Sequence, residues 1–448
     1  MSAQDTDKSN STQAQSLVDR LSTYPENPTE IQSLLLSLKE IGRIKENASP
    51  IYSEQGISML IYFAFENKYE DVQVARECQL EALRCLANAL LLEPLTRTTF
   101  GSKSGYEYTL KLYNEQDFSL EFLLSRMCFL GTVEKGCLSI YEWSGDIVTM
   151  TFHKLLERHV LSETDDLDRL KALAETLKFM FNVTLYLPDV KKYEGMIPLL
   201  LKLLERLPKT LTLPTTQIVN ALLNLSITPA YFPSATPRVH VATLVSILDD
   251  VFEKASRADQ FEDQIVQVGD ELASLFGVLR QIFQACPEDV LKYGKEKLLP
   301  TLADRKHPLG KGHSLADHLL RTSTCVHENV REHSASLLFE LSDSNASKFV
   351  QNIGFGYASG FLVTHNIPIP QLDSGSGEYN HVTGQDLAEE DKMNMEMKAK
   401  FIEMTDEEKE QEAERLFVLF ERMNKTGVVD VKNPVQVARE EGRFEELP

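Results

Sequence analysis

Apolar residues recur every three or four positions along most of this chain, which is the spacing that one face of an α-helix requires. Strand-like alternation is scarce, and Pro and Gly cluster between the helical segments, as in TYPENP and RKHPLGKG. Short connections between so many helices favour an all-α stack of antiparallel helices over an α/β domain. The pattern predicts helices at residues 28–46, 70–93, 117–133, 165–187, 214–227, 238–256, 262–286, 310–322 and 326–343.

Polar residues four positions apart interrupt the apolar character of several predicted helices. Because residues i and i+4 lie on the same face of a helix, each pair marks one polar stripe. The second members stand at 43, 88, 182 and 224, so steps of 45 and 42 residues flank a gap of 94, about two further steps. A repeat of about 40–47 residues is typical of armadillo and HEAT solenoids. The pairs are Lys39 and Arg43, Arg84 and Asn88, Lys178 and Asn182, and Asn220 and Asn224.

Stacked repeats place corresponding side chains next to each other, so we expect these stripes to line the concave face of a superhelical solenoid. With Arg126 included, the basic members form a run of positive charge. Such a run suits a helix that ends in a carboxylate, because a free C-terminus and the carbonyls of a last helical turn are both negative. A structural role is the alternative for any single pair, since Asn can bond a neighbouring backbone and Lys or Arg can lie along apolar surface.

The predicted solenoid spans residues 15–365, and the chain on either side of it differs in composition. Residues 1–14 contain almost nothing to bury, so we expect them to be disordered. Within the solenoid, Gly354, Gly356 and Gly360 are expected to allow close packing of the backbone.

Residues 366–403 are rich in Pro, Gly, Ser and charge, and are expected to form a flexible linker. A capping box and an acidic first turn then predict a C-terminal amphipathic helix at residues 404–426, followed by a tail at 427–448. This helix is expected to cap the solenoid or to contact a partner through an apolar stripe. The stripe consists of Leu416, Leu419, Phe420 and Met423.

Acidic residues outnumber basic ones by 67 to 46, which gives a net charge of −21. This charge argues against binding to nucleic acid or to anionic membrane surfaces. None of the six cysteines forms a CxxC pair, so reduced thiols are expected. The N-terminus lacks the apolar core of a signal peptide, and no run of 18 apolar residues exists, so a cytoplasmic protein is expected.

Signatures of catalysis are missing from the sequence. There is no Walker loop, GxGxxG, HExxH or GxSxG. His307, His313 and His318 stand close together in RKHPLGKGHSLADH, but at no standard metal spacing. We therefore expect a protein that binds without covalent chemistry and without a cofactor or metal.

Several stretches together resemble the synembryn family, armadillo-fold chaperones and guanine nucleotide exchange factors for the α subunits (Gα) of heterotrimeric G proteins. The resemblance extends over nearly the whole chain, in the family's order. The stretches are LEALRCLANALLL, SRMCFLGT, LKFMFNVTL, IVNALLNL, VREHSASLLFELSDSNASKFVQNIGFGYASGFL, VTGQ and MTDEEKEQEAERLFVLFERM.

The resemblance implies that the concave groove grips the C-terminal helix of GDP-bound, nucleotide-free or nascent Gα. Lys39, Arg43 and Asn88 would hold the carboxyl end, and Lys39 departs from the family's arginine. The helix near 404–426 would contact the nucleotide-switch region. A monomer, recruited to the cell cortex or plasma membrane through Gα, is implied. Arg84, Arg126, Lys178, Asn182, Asn220 and Asn224 would continue the groove.

The family's acidic phosphorylation tract is missing before VTGQ, because neither Ser374 nor Ser376 has an acidic residue three positions on. A generic armadillo adaptor that binds an extended peptide remains the alternative function. Adaptors of this kind carry a ladder of Trp–Asn pairs, and Trp143 is the one tryptophan of this chain.

Overall fold

A computed structural model describes residues 3–418, apart from 26, 67–71, 114–116, 134–137, 139–140, 142–144, 233–235, 258–260, 371–378, 381–382, 404, 406–408, 410, 412–413 and 416–417. In this part of the chain the secondary structure is helical, and no strand occurs. The helices are α1 (Ala3–Ser22), α2 (Pro28–Ile41), α3 (Ser49–Tyr52), α4 (Glu54–Ile61), α5 (Val72–Leu92), α6 (Leu95–Ser102), α7 (Gly105–Leu112), α8 (Phe118–Gly131), α9 (Gly145–Leu161), α10 (Leu167–Tyr186), α11 (Ile197–Arg206), α12 (Thr215–Leu223), α13 (Val239–Arg257), α14 (Phe261–Gln267), α15 (Gly269–Ala285), α16 (Glu288–Leu298), α17 (Leu315–Thr322), α18 (Glu328–Leu341), α19 (Ala346–Ile353), α20 (Phe355–Thr364) and α21 (Leu387–Glu403).

Short polar side chains begin several of these helices by accepting hydrogen bonds from backbone N–H groups that have no partner inside the helix. Asn27 caps α2 and accepts from the N–H of Thr29 at 3.1 Å. Asp117 and Asp166 cap α8 and α10 in the same way. Ser314 forms a capping box at the start of α17. The sequence therefore fixes where these helices begin.

Seven helices pack side by side in the order α2, α5, α8, α10, α12, α15 and α18, and we call them the front row. A back row of α9, α11 and α13 packs against it. One continuous apolar core runs between the elements, from Ala14 to Leu362. Rows of helices that contact mainly their neighbours are the arrangement of a helical solenoid, so the predicted all-α solenoid is confirmed.

Side-chain amides join three successive pairs of front-row helices, and we call these bonds clasps. In each clasp an amide N–H of one helix donates to an oxygen at or near the carboxyl-terminal end of the preceding front-row helix. The Leu223 carbonyl, for example, ends α12 and has no partner inside that helix. The clasps are Asn182 to Thr132 Oγ1 at 2.8 Å, Asn224 to the Phe181 carbonyl at 3.0 Å, and Gln281 to the Leu223 carbonyl at 2.8 Å.

The amino-terminal end differs from the expected disorder of residues 1–14, because α1 begins at Ala3. The second half of α1 buries Ala14, Val18 and Leu21 against the neighbouring helices. Once this half is fixed, each further residue adds one backbone hydrogen bond at little cost, so the helix extends into the polar segment.

Most helix boundaries lie within two residues of the predictions, and larger differences occur at four places. The helix predicted to end at residue 227 ends at Leu223. Helix α2 ends at Ile41, so Arg43 lies in the following turn and not on the same helix as Lys39. The predicted helix at 262–286 is divided at Val268 into α14 and α15. The helix predicted from residue 310 begins at Leu315, because Ser314 is its cap.

The segment expected to be a linker, residues 366–403, contains ordered structure that contacts the solenoid. Thr383–Asp386, which we call the strap, lies against the loop that carries Arg305, and α21 follows it directly. Arg305 Nη1 donates to the Gly384 carbonyl at 2.8 Å, and the Asp386 N–H donates back to the Arg305 carbonyl at 2.9 Å. Gln385 is buried.

Part of the predicted C-terminal region lies outside the described residues. This applies to Leu416, Leu419, Phe420 and Met423, to the tail at 427–448, and to Ser374 and Ser376. None of the described helices is both long enough and apolar enough to cross a lipid bilayer.

Candidate functional site

A cleft of about 480 Å³ opens between α2, α5, α8 and the start of α10. Five of its lining side chains are cationic and one is a carboxylate, Asp168. The predicted site residues Lys39, Arg43, Arg84, Asn88 and Arg126 all line it. The remaining lining residues, which the polar pairs did not identify, are Ala87, Ser119, Phe122, Leu123, Asp168 and Lys171.

Two of the cleft cations share one buried carboxylate. Glu81 is 6% exposed, and its Oε2 lies 2.8 Å from Lys39 Nζ of the neighbouring helix. Its Oε1 accepts from Arg84 Nη1, one turn further along α5. The pairing fixes both cations at the cleft wall, since a buried charge that lost its partners would carry a large desolvation cost.

A second cluster of the same composition lies two front-row helices further on. Glu175 of α10 is also 6% exposed, and its Oε1 accepts from Lys178 Nζ at 2.6 Å. Arg126 Nη1 of the neighbouring α8 lies 3.7 Å from the same oxygen. In both clusters one cation comes from the preceding helix and the other from the position three residues after the glutamate.

The sequence analysis did not predict Glu81 and Glu175 as site residues, although both belong to a recurring sequence pattern. Each stands three residues before the basic member of a polar pair, so EALRCLAN and ETLKFMFN share the pattern E-x-x-[R/K]-x-x-x-N. A neutral third copy, Gln217-x-x-Asn220-x-x-x-Asn224, follows in α12. Because residues i and i+3 also share a helix face, the pattern places acid, cation and amide on one stripe.

The asparagines of this pattern divide into two kinds. Asn182 and Asn224 form clasps, and Asn224 also donates to Thr184 Oγ1 at 3.1 Å, so both amides have hydrogen-bond partners within the protein. Asn88 occupies the equivalent position in α5, is half-buried, and forms no hydrogen bond within the described part of the chain. Its amide is therefore available to a ligand in the cleft, with two donors and one acceptor. The Asn220 side chain likewise has no partner among the described residues.

Arg43 carries the most exposed positive charge of the predicted ladder. Its side chain is 62% exposed and lies 2.8 Å from Glu40, whose side chain is 58% exposed. Exposed pairs of this kind contribute little free energy, about 0–1 kcal/mol, so a ligand can readily replace Glu40. Asp168 and Lys171 form a looser pair at the α10 side of the cleft, with 4.0 Å between them.

Apolar groups separate the charges of the cleft. Ala87 and Leu123 are buried, and Phe122 is half-buried. The Arg126 guanidinium lies 5.6 Å from the centre of the Phe122 ring, and Lys178 Nζ lies 5.2 Å from that of Phe129. Cations next to aromatic rings and aliphatic side chains suit an amphipathic segment with a negative end.

One cysteine lies close to the charged residues of the cleft. The nearby Cys85 is fully buried, and burial together with the Glu81 charge raises the pKa of its thiol to about 12. This thiol therefore stays protonated and unreactive near neutral pH. No group of three metal-ligating side chains occurs among the described residues.

Comparison with known proteins shows which family this chain matches. Residues 34–443 match the family described as guanine nucleotide exchange factor synembryn. A synembryn-like chaperone of Schizosaccharomyces pombe is 36% identical over 160 residues, which cover 32% of this chain and 30% of that protein. The chaperone Ric-8A of Gallus gallus is 25% identical over 452 residues, which cover 88% of this chain and 81% of the relative.

Comparison with solved structures gives two matches of low similarity. An engineered protein gives a TM-score of 0.46 at 17% identity, and the match covers 79% of this chain and 82% of that one. A designed armadillo repeat protein gives a TM-score of 0.32 at 12% identity, with 73% and 98% covered.

Proposed function

Since this chain belongs to the synembryn family of guanine nucleotide exchange factors, we propose that it is a chaperone and exchange factor for the α subunits of heterotrimeric G proteins. In this proposal the cationic cleft binds the carboxyl end of the Gα C-terminal helix. The function requires no covalent chemistry and no cofactor. The observation that carries the proposal is the cluster of five cations on an acidic molecule.

The charge of the cleft supports a carboxylate ligand. The last turn of a helix presents free carbonyls as well as the terminal carboxylate, and cations stabilise both. Arg43 and Arg84 offer N–H donors, and Asn88 offers an amide that no neighbour uses among the described residues. The body of the protein, at a net charge of −21, repels acidic ligands elsewhere, so attraction is concentrated at the cleft.

The apolar wall supports a helical ligand. Ala87, Phe122 and Leu123 lie between the cations, where they would contact the apolar side chains of an amphipathic helix. Lys178 and Asn220 would extend the contact along the front row, as the concave face of the solenoid.

Nucleotide release follows from this grip by linkage. If the protein binds the Gα C-terminal helix only when that helix is withdrawn from the Gα core, binding shifts Gα towards the conformation with a loosened guanine site. GDP then dissociates, and the bound nucleotide-free Gα persists until GTP binds. The same grip would hold nascent Gα.

Further parts of the proposal concern the C-terminal helix and the cellular setting. We propose that Leu416, Leu419, Phe420 and Met423 contact the nucleotide-switch region of Gα. We also propose that the protein acts as a monomer in the cytoplasm and reaches the cell cortex or plasma membrane through Gα.

The test compares two forms of one Gα subunit loaded with a fluorescent GDP analogue, one intact and one lacking its last few residues. Stoichiometric protein is expected to accelerate release from intact Gα and to leave the truncated form at its spontaneous rate. A complex that persists without nucleotide and dissociates on addition of GTP is the expected chaperone readout. Equal release from both forms, or no acceleration of either, contradicts the groove mechanism.

A further inference from the structure

Glu81 and Glu175 are the buried members of the two cation clusters, and nothing in the proposed function assigns them a role. We propose that they are positioning residues: each holds two cations in the geometry that receives the carboxylate of the ligand. This inference rests on the proposed function and adds to it two residues that do not themselves touch the ligand.

The geometry of the first cluster supports positioning. The Glu81 carboxylate is nearly inaccessible, whereas Lys39 and Arg84, which it contacts, line the cleft. Its two oxygens are divided between two helices, Oε2 to Lys39 on α2 and Oε1 to Arg84 on α5. A single carboxylate therefore fixes the separation of two cations that belong to different helices.

The second cluster repeats this arrangement. Glu175 accepts from Lys178 on its own helix and attracts Arg126 from α8. The side chains of Arg126 and Lys178 are each 33% exposed, so both remain partly open to solvent although Glu175 binds their charged ends. Two clusters of the same composition at equivalent positions are hard to explain by the packing of one particular pair of helices.

The two clusters would raise affinity because their Lys and Arg side chains are already ordered before the ligand binds. Lys and Arg have many rotamers, and a ligand that must immobilise free side chains loses affinity for each one. A buried acid that already orders both cations removes this loss. Each cluster retains one net positive charge, since two cations share one carboxylate, and that charge remains to attract the ligand.

The test uses the full chain and two probes, a peptide of the last residues of a Gα subunit with a free carboxylate and the same peptide with a C-terminal amide. Glu81→Asp keeps the charge but shortens the side chain by one methylene, so its carboxylate no longer reaches both helices. We expect the wild-type preference for the free acid to fall by about three- to tenfold, because two side chains lose their order. Affinity for the amide is expected to stay unchanged.

Control variants separate positioning from general stability. Glu253→Asp alters an exposed acid that pairs with Arg257 on the back-row helix α13, away from the cleft, and is expected to leave the preference unchanged. Glu175→Asp tests the second cluster, and its effect also decides the matter if Glu81→Asp fails to fold. A purely structural role would lower affinity for acid and amide together, in step with thermal stability.

The outcomes distinguish this inference from the function on which it rests. If the wild-type protein binds acid and amide equally, the carboxylate mechanism fails and the inference fails with it. If the wild-type protein prefers the acid and both aspartate variants keep that preference, only the positioning role is overturned.

Discussion

Lys39 and Arg43 hold their positive charges in different ways. The Lys39 side chain is 17% exposed and is bound to the buried Glu81, whereas Arg43 extends from a turn into solvent. A ligand at Lys39 meets a charge that is already fixed and partly neutralised. A ligand at Arg43 meets an exposed guanidinium whose ion pair with Glu40 contributes little free energy. We therefore expect Lys39 to contribute geometry and Arg43 to contribute most of the accessible charge.

Charge reversal at Arg43 is the prediction for this scale. Arg43→Glu is expected to weaken binding of intact Gα by roughly 1–3 kcal/mol, as for a lost charge-assisted hydrogen bond. Titration calorimetry at low salt measures the change. Arg257→Glu is the matched control, because Arg257 forms an exposed pair with Glu253 on the back-row helix α13. Unchanged binding by the Arg43 variant would exclude this residue from the carboxylate contact.

Single residues also set the limit of what the sequence predicts. Spacing predicted Lys39, Arg43, Arg84 and Asn88, and Arg126 was added as a further basic residue, since a polar residue in an apolar segment is visible in one sequence. It did not identify the partners, because an acidic residue in a chain with 67 of them gives no signal by itself. It also could not separate Asn88 from Asn182, since their difference lies in what the preceding helix places opposite the amide.

At the scale of the helix, the clasps connect each element to the one before it. Asn224 contributes two hydrogen bonds between α12 and α10, whereas Asn220, one turn earlier, contributes none within the described chain. Two residues of one type, one inside α12 and one directly after its end, therefore have different roles.

Alanine substitution is expected to separate these two asparagines. Asn224→Ala should lower the free energy of unfolding by about 1–3 kcal/mol, because the half-buried Phe181 carbonyl and the buried Thr184 hydroxyl each lose a donor. Asn220→Ala serves as the control and should change it by no more than about 0.5 kcal/mol. Urea unfolding followed by circular dichroism measures both. If both substitutions lowered the free energy of unfolding equally, the clasp would not stabilise the contact between α10 and α12.

Helix boundaries show what the periodicity could and could not predict. The cores of the front-row helices were predicted because apolar spacing is strong there. The end of α2 at Ile41 was not, because Gly42 terminates a pattern that continues through Arg43 and Ile44. The first turns of α1 were missed because they depend on burial ten residues later, which a local window does not contain.

At the scale of the whole molecule, Arg305 connects the solenoid to the C-terminal region. It is nearly buried, donates to carbonyls of Gly384, Gln351 and Asn352, and lies over the Tyr379 ring at 4.4 Å. Gly384 has φ of +69°, and a Cβ there would meet the Leu309 side chain, so glycine is required at this turn. The strap therefore has one defined position on the solenoid.

Weakening this connection should loosen the strap selectively. Arg305→Lys keeps the charge but loses the planar fork that reaches three carbonyls, so we expect faster hydrogen exchange at the amides of Thr383–Asp386. Mass spectrometry of the exchanged protein reads this out. Arg331→Lys is the control, because Arg331 of α18 also donates to backbone carbonyls, those of Cys325 and Val326. Unchanged exchange in the Arg305 variant would show that other contacts hold the strap.

The solenoid as a whole was predictable because each repeat shows a similar spacing of apolar and polar residues in the sequence. The strap was not, because its contacts join positions about 80 residues apart and use a segment whose composition is typical of linkers. A local sequence pattern predicts contacts between neighbouring repeats. It does not predict contacts between segments that are several repeats apart.

The clasps have a consequence for how this architecture can change over time. Each clasp involves only two adjacent front-row helices, so the contact between those helices depends on two segments of the sequence. A duplication or loss of one repeat would leave the other clasps intact and would change only the number of helices in the front row. The cation clusters, which also need only neighbouring helices, could be copied or neutralised in the same modular way, and Gln217 with Asn220 has the composition of such a neutralised copy.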